Sequence, residues 1–294
     1  MKREEDVILI AGPTASGKTS LAIKTAQASD AVVINADSMQ VYRDLRVITA
    51  RPSKEEEAQA QHFGFGTIDA CESYSVAQWL ADLKGMLATS KLKGKRIVLV
   101  GGTGLYFNAL LNGLSPIPSI APEIREKWRR LSDENSTMLH DELILRDRKM
   151  ADQLEPGDLQ RIVRALEVVD STGRSLLDWQ REKGQPFFEP TTRIAKYLLL
   201  PERSLLHERI NQRFDMMVGQ GALEEVAALK ARNLDSELPA MKAIGVPQLG
   251  SHLVGNLSLE DAIEQAKAAT RQYAKRQMTW FRNSFDGDWA QIRS

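Results

Sequence analysis

The sequence has little of what disulfide-linked, metal-binding and membrane proteins need. Cys71 is the only cysteine among 294 residues, so no disulfide can form within the chain. A single free cysteine is typical of proteins that work in a reducing compartment. The four histidines are scattered and show no metal-ligand spacing. No apolar run approaches the roughly 20 residues of a membrane-spanning helix. We therefore predict a cytoplasmic protein with no membrane contact.

Aromatic residues and net charge are also scarce. Phe, Trp and Tyr make up 6% of the chain, whereas hydrophobic residues make up 43%, so the core must be mainly aliphatic. Lys and Arg number 39 and so do Asp and Glu, which leaves a net charge of zero. Because the chain as a whole has no positive excess, any surface for nucleic acid must be local.

The most informative stretch is a glycine-rich loop near the N-terminus. Residues 12–19 read GPTASGKT and lie between the apolar run 7–11 and a helix-forming run that begins at Ser20. Strand, glycine loop and helix in this order are the context of a phosphate-binding P-loop, and these flanks disfavour a chance glycine turn. Its backbone amides point at phosphate oxygens, its lysine adds positive charge and its threonine hydroxyl can bind Mg²⁺. We predict that a diphosphate or triphosphate binds to Gly12, Pro13, Thr14, Ala15, Ser16, Gly17, Lys18 and Thr19.

The pattern of apolar runs predicts an α/β fold with a helical insertion. Short runs rich in Val and Ile are typical of strands that are buried on both faces, as in a parallel sheet. Such runs occupy residues 7–11, 31–35 and 96–100, and residues 194–200 form another apolar run that predicts a buried strand. A proline-rich exit at 115–122 leads into a charged region with helical patterns only, and a linker at 185–192 leads back. We predict a P-loop core, a parallel sheet flanked by helices, at 1–116 and 191–294, and an all-helical insertion domain at 117–190.

Three helices have recognisable caps. Ser75 precedes apolar residues at helical spacing between 76 and 87, and Asp158 precedes a helix that Gly173 ends. The last long helix begins near Ser258, where Asp261 completes a start resembling a capping box, and extends to about Phe281.

Polar residues follow two of the predicted strands. Asp37 follows the second strand, and Thr103 follows the third within a glycine-rich turn that reads VGGTG. The carboxyl ends of parallel strands meet at one edge, so both residues should lie beside the P-loop, and the glycines should let backbone approach a ligand closely. Asp37 could bind Mg²⁺ through water or accept a proton, and a solvated turn residue is an equal alternative. The third strand lacks the terminal aspartate that holds Mg²⁺ in many P-loop NTPases, which disfavours an ordinary ATPase.

Basic residues cluster at four places. Arg209 and Arg213 are four residues apart on one predicted helix and either face the phosphates or are solvated, the second being the usual case for such a pair. The last helix has a basic stripe that suits a nucleic-acid backbone or a solvated face. The stripe consists of Lys267, Arg271, Lys275 and Arg282, and the insertion adds clusters at Arg125, Lys127, Arg129 and Arg130 and at Arg161 and Arg164.

These segments together resemble the tRNA dimethylallyltransferases, also called tRNA isopentenyltransferases. The first matching block occurs in many P-loop enzymes, but the blocks in combination are highly specific, and they extend along nearly the whole chain. They are GPTASGKT (12–19), DSMQVYR (37–43), VGGTGLYF (100–107), PIP (116–118), DLQRIVRALEV (158–168), RINQRFDMMVGQGALEEV (209–226) and TRQYAKRQMTWFR (270–282).

The resemblance implies an enzyme that transfers a dimethylallyl group from dimethylallyl diphosphate to a tRNA. The acceptor is the exocyclic N6 amine of the adenosine 3′-adjacent to the anticodon, in tRNAs reading codons that begin with U, and diphosphate is released. Asp37 is then the general base, while Lys18, Thr19 and Arg213 stabilise the leaving diphosphate with Mg²⁺, which Thr19 binds. We expect a monomer that binds the anticodon stem-loop through Asp37, Ser38, Met39, Gln40, Thr103, Arg125, Gln160, Arg161, Ile162, Val163, Arg164 and Lys275.

Three other functions are compatible with a P-loop. Prenyl transfer to free AMP, ADP or ATP is disfavoured because a small acceptor needs neither the helical insertion nor a basic last helix. A small-molecule kinase is disfavoured by the matching blocks beyond residue 100. A non-catalytic RNA-binding module is disfavoured because Asp37 and the P-loop are intact.

Overall fold

The chain forms two compact units. A computed structural model describes residues 6–89, 92, 94–182 and 184–293. The first unit contains the chain up to Leu111 and from Phe188 onward, and the second contains Asn112–Phe187. The predicted insertion, 117–190, overlaps the second unit, whose limits lie a few residues earlier. Residues 1–5 and 294, which the sequence assigned to the core, lie outside the described residues.

The first unit is built on a six-stranded sheet. Every strand pairs in parallel with its neighbours, in the order β3-β2-β4-β1-β5-β6. The strands are β1 (Val7–Ala11), β2 (Ala31–Asn35), β3 (His62–Phe63), β4 (Arg96–Gly101), β5 (Ile194–Leu199) and β6 (Ala290–Ile292). The predicted parallel sheet and its four longer strands are confirmed. The edge strands β3 and β6 are too short for any hydrophobic periodicity, which explains why the sequence did not predict them.

Helices flank this sheet, and five more form the second unit. The first unit contains α1 (Lys18–Ser29), α2 (Lys54–Glu57), α3 (Val76–Ala88), α4 (Gly104–Asn112, which reaches the second unit), α10 (Arg203–Gly219), α11 (Ala222–Ala231), α12 (Val246–Leu253) and α13 (Leu259–Ser284). The second contains α5 (Pro122–Glu134), α6 (Met138–Arg146), α7 (Arg148–Ala151), α8 (Leu159–Thr172) and α9 (Leu176–Arg181). No helix in the described part of the chain is long and apolar enough to span a bilayer.

The predicted caps of α3 and α13 are confirmed, and that of α8 is corrected. Ser75 accepts a hydrogen bond from the Gln78 amide, and Ser258 accepts one from the Asp261 amide. Asp158 stands at the N-cap of α8 but its side chain accepts no helix amide, since it forms an ion pair with Arg161 at 3.4 Å instead. The left-handed residue at the end of α8 is the predicted glycine, Gly173, with φ of 67°.

Aliphatic side chains form the core of the sheet. Strands β1 and β4 lie at its centre, and residues such as Leu9, Ile10 and Leu99 are fully buried. Because both faces of these strands are covered, their sequences are apolar runs without alternation. A second cluster, which includes Phe214, Val226 and other residues of α10–α13, packs beside the sheet.

The second unit has its own core, built from helices. No strand occurs among its described residues, as the sequence predicted. Trp128 on α5 is fully buried and packs with Leu139, Leu143 and Leu166. Asp170 on α8 accepts hydrogen bonds from the Trp128 indole at 3.1 Å and from Lys127 at 2.8 Å, which joins α5 to α8.

A carboxylate on α11 holds the loop that precedes α2. Glu225 accepts backbone hydrogen bonds from Arg46 at 2.7 Å, Val47 at 2.8 Å and Ile48 at 2.9 Å. From the other side, Gln40 donates to the carbonyls of residues 49 and 50, each at 3.0 Å. Loop 46–50 is therefore attached at one end to the distant helix α11 and at the other to Gln40, which lies nearby in sequence.

We predict that Glu225→Ala lowers the free energy of unfolding by about 1–3 kcal/mol, because three backbone amides lose a charged acceptor. Urea denaturation followed by circular dichroism measures the change. Glu224→Ala, at the adjacent exposed position of α11, is the matched control. It should lower the free energy by less than about 1 kcal/mol, through the helix dipole alone. Equal losses in the two variants would show that Glu225 does not hold the loop.

Candidate active site

The glycine-rich loop between β1 and α1 has the conformation of an anion-binding loop. Ala15 and Gly17 adopt left-handed backbone angles, with φ of 61° and 87°. A Cβ at Gly12 would lie 2.9 Å from both the Leu199 carbonyl oxygen and the Ser16 hydroxyl, so this position tolerates no side chain. The first amides of α1 have no acceptor within the helix and are available to an anion at its N-terminus.

Two partly buried cations lie on this loop. Lys18 Nζ donates to the Pro13 carbonyl at 2.6 Å, and Arg213 on α10 donates to the Thr14 hydroxyl. Burial lowers the pKa of Lys18 to about 8, and repulsion from Arg213 also lowers it while Asp37 raises it. Burial likewise lowers the pKa of Arg213 to about 10, against the opposite effect of Asp37. Both cations have lost hydration, so a bound anion would stabilise them strongly.

Asp37 lies where β2 ends and faces the same loop. Its Oδ1 accepts a hydrogen bond from the Met39 amide at 2.9 Å, and its own amide donates to Asn35 Oδ1 at 2.9 Å. A Cβ at Gly102 would lie 3.3 Å from Asp37 Oδ2, which places that oxygen beside the turn after β4. The parallel sheet thus brings together the loop after β1, the carboxylate after β2 and the turn after β4, as the sequence predicted.

Ser38 and Thr103 join two of these turns. The Ser38 amide donates to Thr103 Oγ1 at 2.9 Å, and the Thr103 hydroxyl donates to Ser38 Oγ at 3.2 Å. Thr103 is therefore adjacent to Asp37 through Ser38, but it does not line the cleft itself.

The glycines after β4 accommodate the protein's own atoms rather than a ligand. A side chain at Gly101 would collide with the Ala36 backbone, one at Gly102 with the Gln277 amide, and one at Gly104 with the Trp280 ring. The prediction that these glycines admit backbone close to a ligand is therefore corrected. They let β2 and α13 pack against the end of β4.

A cleft of about 1090 Å³ opens in front of these groups. Thr14–Ser20, Asp37, Ser38, Met39 and Gln40 line it together with loop 46–53. Its acidic lining residues are Asp37 and Glu56, whereas its basic ones are Lys18, Arg46, Arg51, Arg209, Arg213, Lys242 and Arg276. This excess of positive charge suits a ligand with several negative charges. Arg209 and Arg213 of α10 both line the cleft, so the alternative in which this pair is merely solvated is not what the fold produces.

The predicted basic stripe on α13 is only partly a free surface. Lys267 is 9% exposed and forms ion pairs with Asp215 at 2.8 Å and Glu264 at 2.9 Å. Arg271 donates to Asn211 Oδ1 at 2.6 Å. Both side chains are therefore bound within the unit and the prediction of a continuous stripe is wrong. Lys275 is exposed outside the cleft.

The tRNA-contact residues proposed in the insertion differ in accessibility. Arg125, Gln160 and Arg161 are exposed. Arg164 is partly exposed and pairs with the buried Glu167 at 3.2 Å, and Val163 packs against the core of the unit. Ile162 is 0% exposed because α8 turns this residue toward that core. Its side chain has no surface for RNA, so the prediction for Ile162 is wrong.

Two further residues of α13 contribute to the site and were not predicted. Tyr273 lines the cleft, with the Arg276 guanidinium 5.8 Å from its ring centre. Burial raises the pKa of Tyr273, so its phenol stays protonated and can donate a hydrogen bond. Gln277 is 6% exposed and contacts both the P-loop and the turn after β4. Their shared helical face is visible in the sequence, but what it packs against is not.

Two family models and several known proteins match this chain. A family model described as IPP transferase matches residues 40–284, and one described as isopentenyl transferase matches residues 5–63. The tRNA dimethylallyltransferase of Agrobacterium fabrum is 52% identical over 98% of this chain and 97% of its own length. That of Rhizobium meliloti is 50% identical over 99% of this chain and 96% of its own.

Solved structures agree with these relatives. The tRNA isopentenylpyrophosphate transferase of Bacillus halodurans is 33% identical, with a TM-score of 0.68 over 99% of this chain and 90% of its own. A eukaryotic dimethylallyltransferase described as acting on tRNA is 28% identical, with a TM-score of 0.80 over 99% of this chain and 74% of its own. The P-loop, the carboxylate opposite it and these matches along almost all residues lead to one conclusion: this chain belongs to the tRNA dimethylallyltransferase family.

Proposed function

We propose that this protein transfers a dimethylallyl group from dimethylallyl diphosphate to the exocyclic N6 amine of a tRNA adenosine. The adenosine is the one 3′-adjacent to the anticodon in tRNAs that read codons beginning with U, and the second product is diphosphate. The observation that carries the proposal is the convergence of Lys18, Arg213 and Asp37 on one cleft, with two desolvated cations at the P-loop and a carboxylate opposite them.

The reaction needs groups that stabilise the diphosphate as it leaves the donor carbon. It also needs a base close to the acceptor amine. The amine nitrogen forms a bond to C1 of the dimethylallyl group while the bond from C1 to the diphosphate oxygen breaks. Negative charge grows on the diphosphate, and the P-loop amides with Lys18 and Arg213 stabilise it without reorganising. Asp37 takes the proton that the amine loses, which balances the charge of the transfer. Because no phosphoryl group moves, the reaction does not require an aspartate at the end of β4.

The residues present are compatible with Mg²⁺. Among the described residues, no cluster of three or more His, Cys, Asp or Glu side chains could hold a metal ion by itself. Mg²⁺ commonly uses one or two protein ligands and completes its shell with phosphate oxygens and water. Thr19, in the first turn of α1 and on the cleft wall, would supply the protein ligand. Bound there, the ion would neutralise part of the charge on the diphosphate.

The accessible residues among those predicted to contact tRNA support tRNA as the acceptor. Arg125, Gln160 and Arg161 present polar side chains on the helical unit, and Met39 and Gln40 line the cleft of the other unit. Phosphate contacts position an RNA, whereas a base-modifying site requires an unstacked base. The requirement for Mg²⁺, the monomeric state and the cytoplasmic location stay predictions.

A transfer assay with several acceptors tests the proposal. The protein is incubated with dimethylallyl diphosphate and unmodified tRNA, AMP, ADP or ATP, and the products are identified by mass spectrometry. We expect a mass increase of one dimethylallyl group on an adenosine of tRNA only. Prenylated AMP, ADP or ATP without prenylated tRNA would overturn the proposed acceptor, and phosphorylation of a small hydroxyl compound from ATP would overturn the reaction class.

We predict that Asp37→Asn lowers kcat of the transfer by about 10²–10⁴-fold, because the base is lost from the transition state. The asparagine oxygen can still accept the Met39 amide, so the turn keeps its shape and the KM for dimethylallyl diphosphate should change little. Steady-state kinetics measure both constants. Asp30→Asn is the control, since Asp30 is exposed, lies outside the cleft and has a left-handed backbone that asparagine tolerates. An undiminished kcat in Asp37→Asn would exclude its role as general base.

We predict that Arg213→Gln weakens pyrophosphate binding by about 10–100-fold, because one charge-assisted contact is lost. The variant should keep the thermal stability of the wild type, since burial already disfavours the charged form of Arg213, as its lowered pKa indicates. Isothermal titration calorimetry and thermal melts measure the two quantities. Arg203→Gln, at an exposed position of the same helix outside the cleft, should leave both unchanged. Unaltered affinity in Arg213→Gln would place the anion elsewhere.

A further inference from the structure

The side-chain amide of Gln277 is buried between two loops of the candidate site. Its Oε1 accepts a hydrogen bond from the Thr14 amide at 2.9 Å, and its Nε2 donates to the Gly102 carbonyl at 2.8 Å. Only 6% of the residue is exposed. Thr14 and Gln277 are 263 residues apart in the chain, so this contact exists only because the fold brings α13 to the P-loop.

The two loops that Gln277 joins carry the two sides of the proposed reaction. On the first side, Thr14 belongs to the P-loop, and its hydroxyl accepts a hydrogen bond from Arg213. On the second side, Gly102 lies beside Asp37, whose Oδ2 is 3.3 Å from where a Gly102 Cβ would stand. The amide therefore links the loop for the leaving group to the turn that borders the base.

The contact also decides which P-loop amides face a ligand. Because the Thr14 amide points at Gln277, it is not directed at an anion in the cleft. The Ser16 amide donates to the Pro13 carbonyl at 3.3 Å, within the loop itself. An anion is left with the amides around Gly17 and at the start of α1, which the helix leaves without acceptors.

Few side chains could replace this glutamine. One group must accept from an amide while the other donates to a carbonyl, and a carboxamide does both. The space is tight, since any side chain at Gly102 would collide with Gln277 Nε2. An ionised glutamate keeps the acceptor but repels the Gly102 carbonyl, whereas a protonated glutamate has both an acceptor and a donor in a glutamine-like shape.

We propose that Gln277 is a positioning residue for the transfer, an inference that rests on the proposed function of the P-loop. It sets the orientation of the P-loop relative to the Asp37 side of the cleft and touches neither the diphosphate nor the acceptor.

Three variants test this role through pyrophosphate binding. Gln277→Met keeps the approximate volume of the side chain and removes both hydrogen bonds. Gln277→Glu restores both only when the introduced carboxyl group is protonated. Gln272→Met is the matched control, at an exposed position of the same helix. Calorimetry gives the dissociation constant of pyrophosphate for each protein between pH 5 and 8, and the ratio to the wild type at each pH removes the ionisation of the ligand.

We expect Gln277→Met to weaken pyrophosphate binding by about tenfold at every pH, through the loss of two neutral hydrogen bonds. For Gln277→Glu we expect a similar loss at pH 8 and recovery to within about twofold of the wild type at pH 5. Burial, the Gly102 carbonyl and the negative charge of Asp37 all raise the pKa of the introduced carboxyl group. The positive charges of Lys18 and Arg213 lower it. Gln272→Met should match the wild type throughout.

Recovery at low pH, while the circular dichroism spectrum of Gln277→Glu stays that of the folded wild type throughout, distinguishes positioning from a merely structural role, because a variant that unfolds through its buried charge would change both. A ratio for Gln277→Glu that does not change with pH, or wild-type affinity in Gln277→Met, would overturn the inference. If Gln277→Met does not fold, the pH series of Gln277→Glu still decides. A wild-type protein that binds no pyrophosphate would instead overturn the proposed function of the P-loop.

Discussion

Parallel pairing of β1 with β4, and of β4 with β2, is the constraint on which the site depends. Ala11 pairs with Gly101 and Asn35 with Val100, so the three strands end at the same level of the sheet. Each strand continues into a turn with a different role. The turn after β1 offers amides to an anion, the turn after β2 carries the Asp37 carboxylate, and the turn after β4 contains glycines against which other parts of the protein pack. Parallel sheets generally bind ligands at this edge. Here the hydrogen bonds between Ser38 and Thr103 join two of the turns.

The charges at this edge of the sheet favour the binding of an anionic ligand. Lys18 and Arg213 are desolvated, and Asp37 is the carboxylate nearby that stabilises both. Partly buried cations without full compensation destabilise a fold, and proteins retain such groups mainly where a ligand completes them. A diphosphate would supply the missing negative charge.

Much of this architecture could be predicted from local sequence patterns. The strands at 7–11 and 31–35 and the helical nature of the insertion follow from hydrophobic periodicity. The left-handed Gly17 and Gly173 follow from a conformation that glycine adopts readily. The predictions that were wrong concern what a side chain faces. Lys267 was predicted to belong to a basic stripe, yet it is only 9% exposed and forms an ion pair with Asp215 of α10. Ile162 stands within a matching block, yet α8 turns it into the core.

The sequence by itself determined the P-loop, the α/β class and the family, because these depend on short segments whose residues act through their neighbours in the chain. The tertiary structure alone decided which distant groups complete the site. Gln277 reaches Thr14 across 263 residues, and Arg213 reaches the same residue across 199. Contacts of this kind depend on how α10 and α13 pack against the sheet. Helical spacing indicates which face of a helix is buried, but not which loop will lie against it.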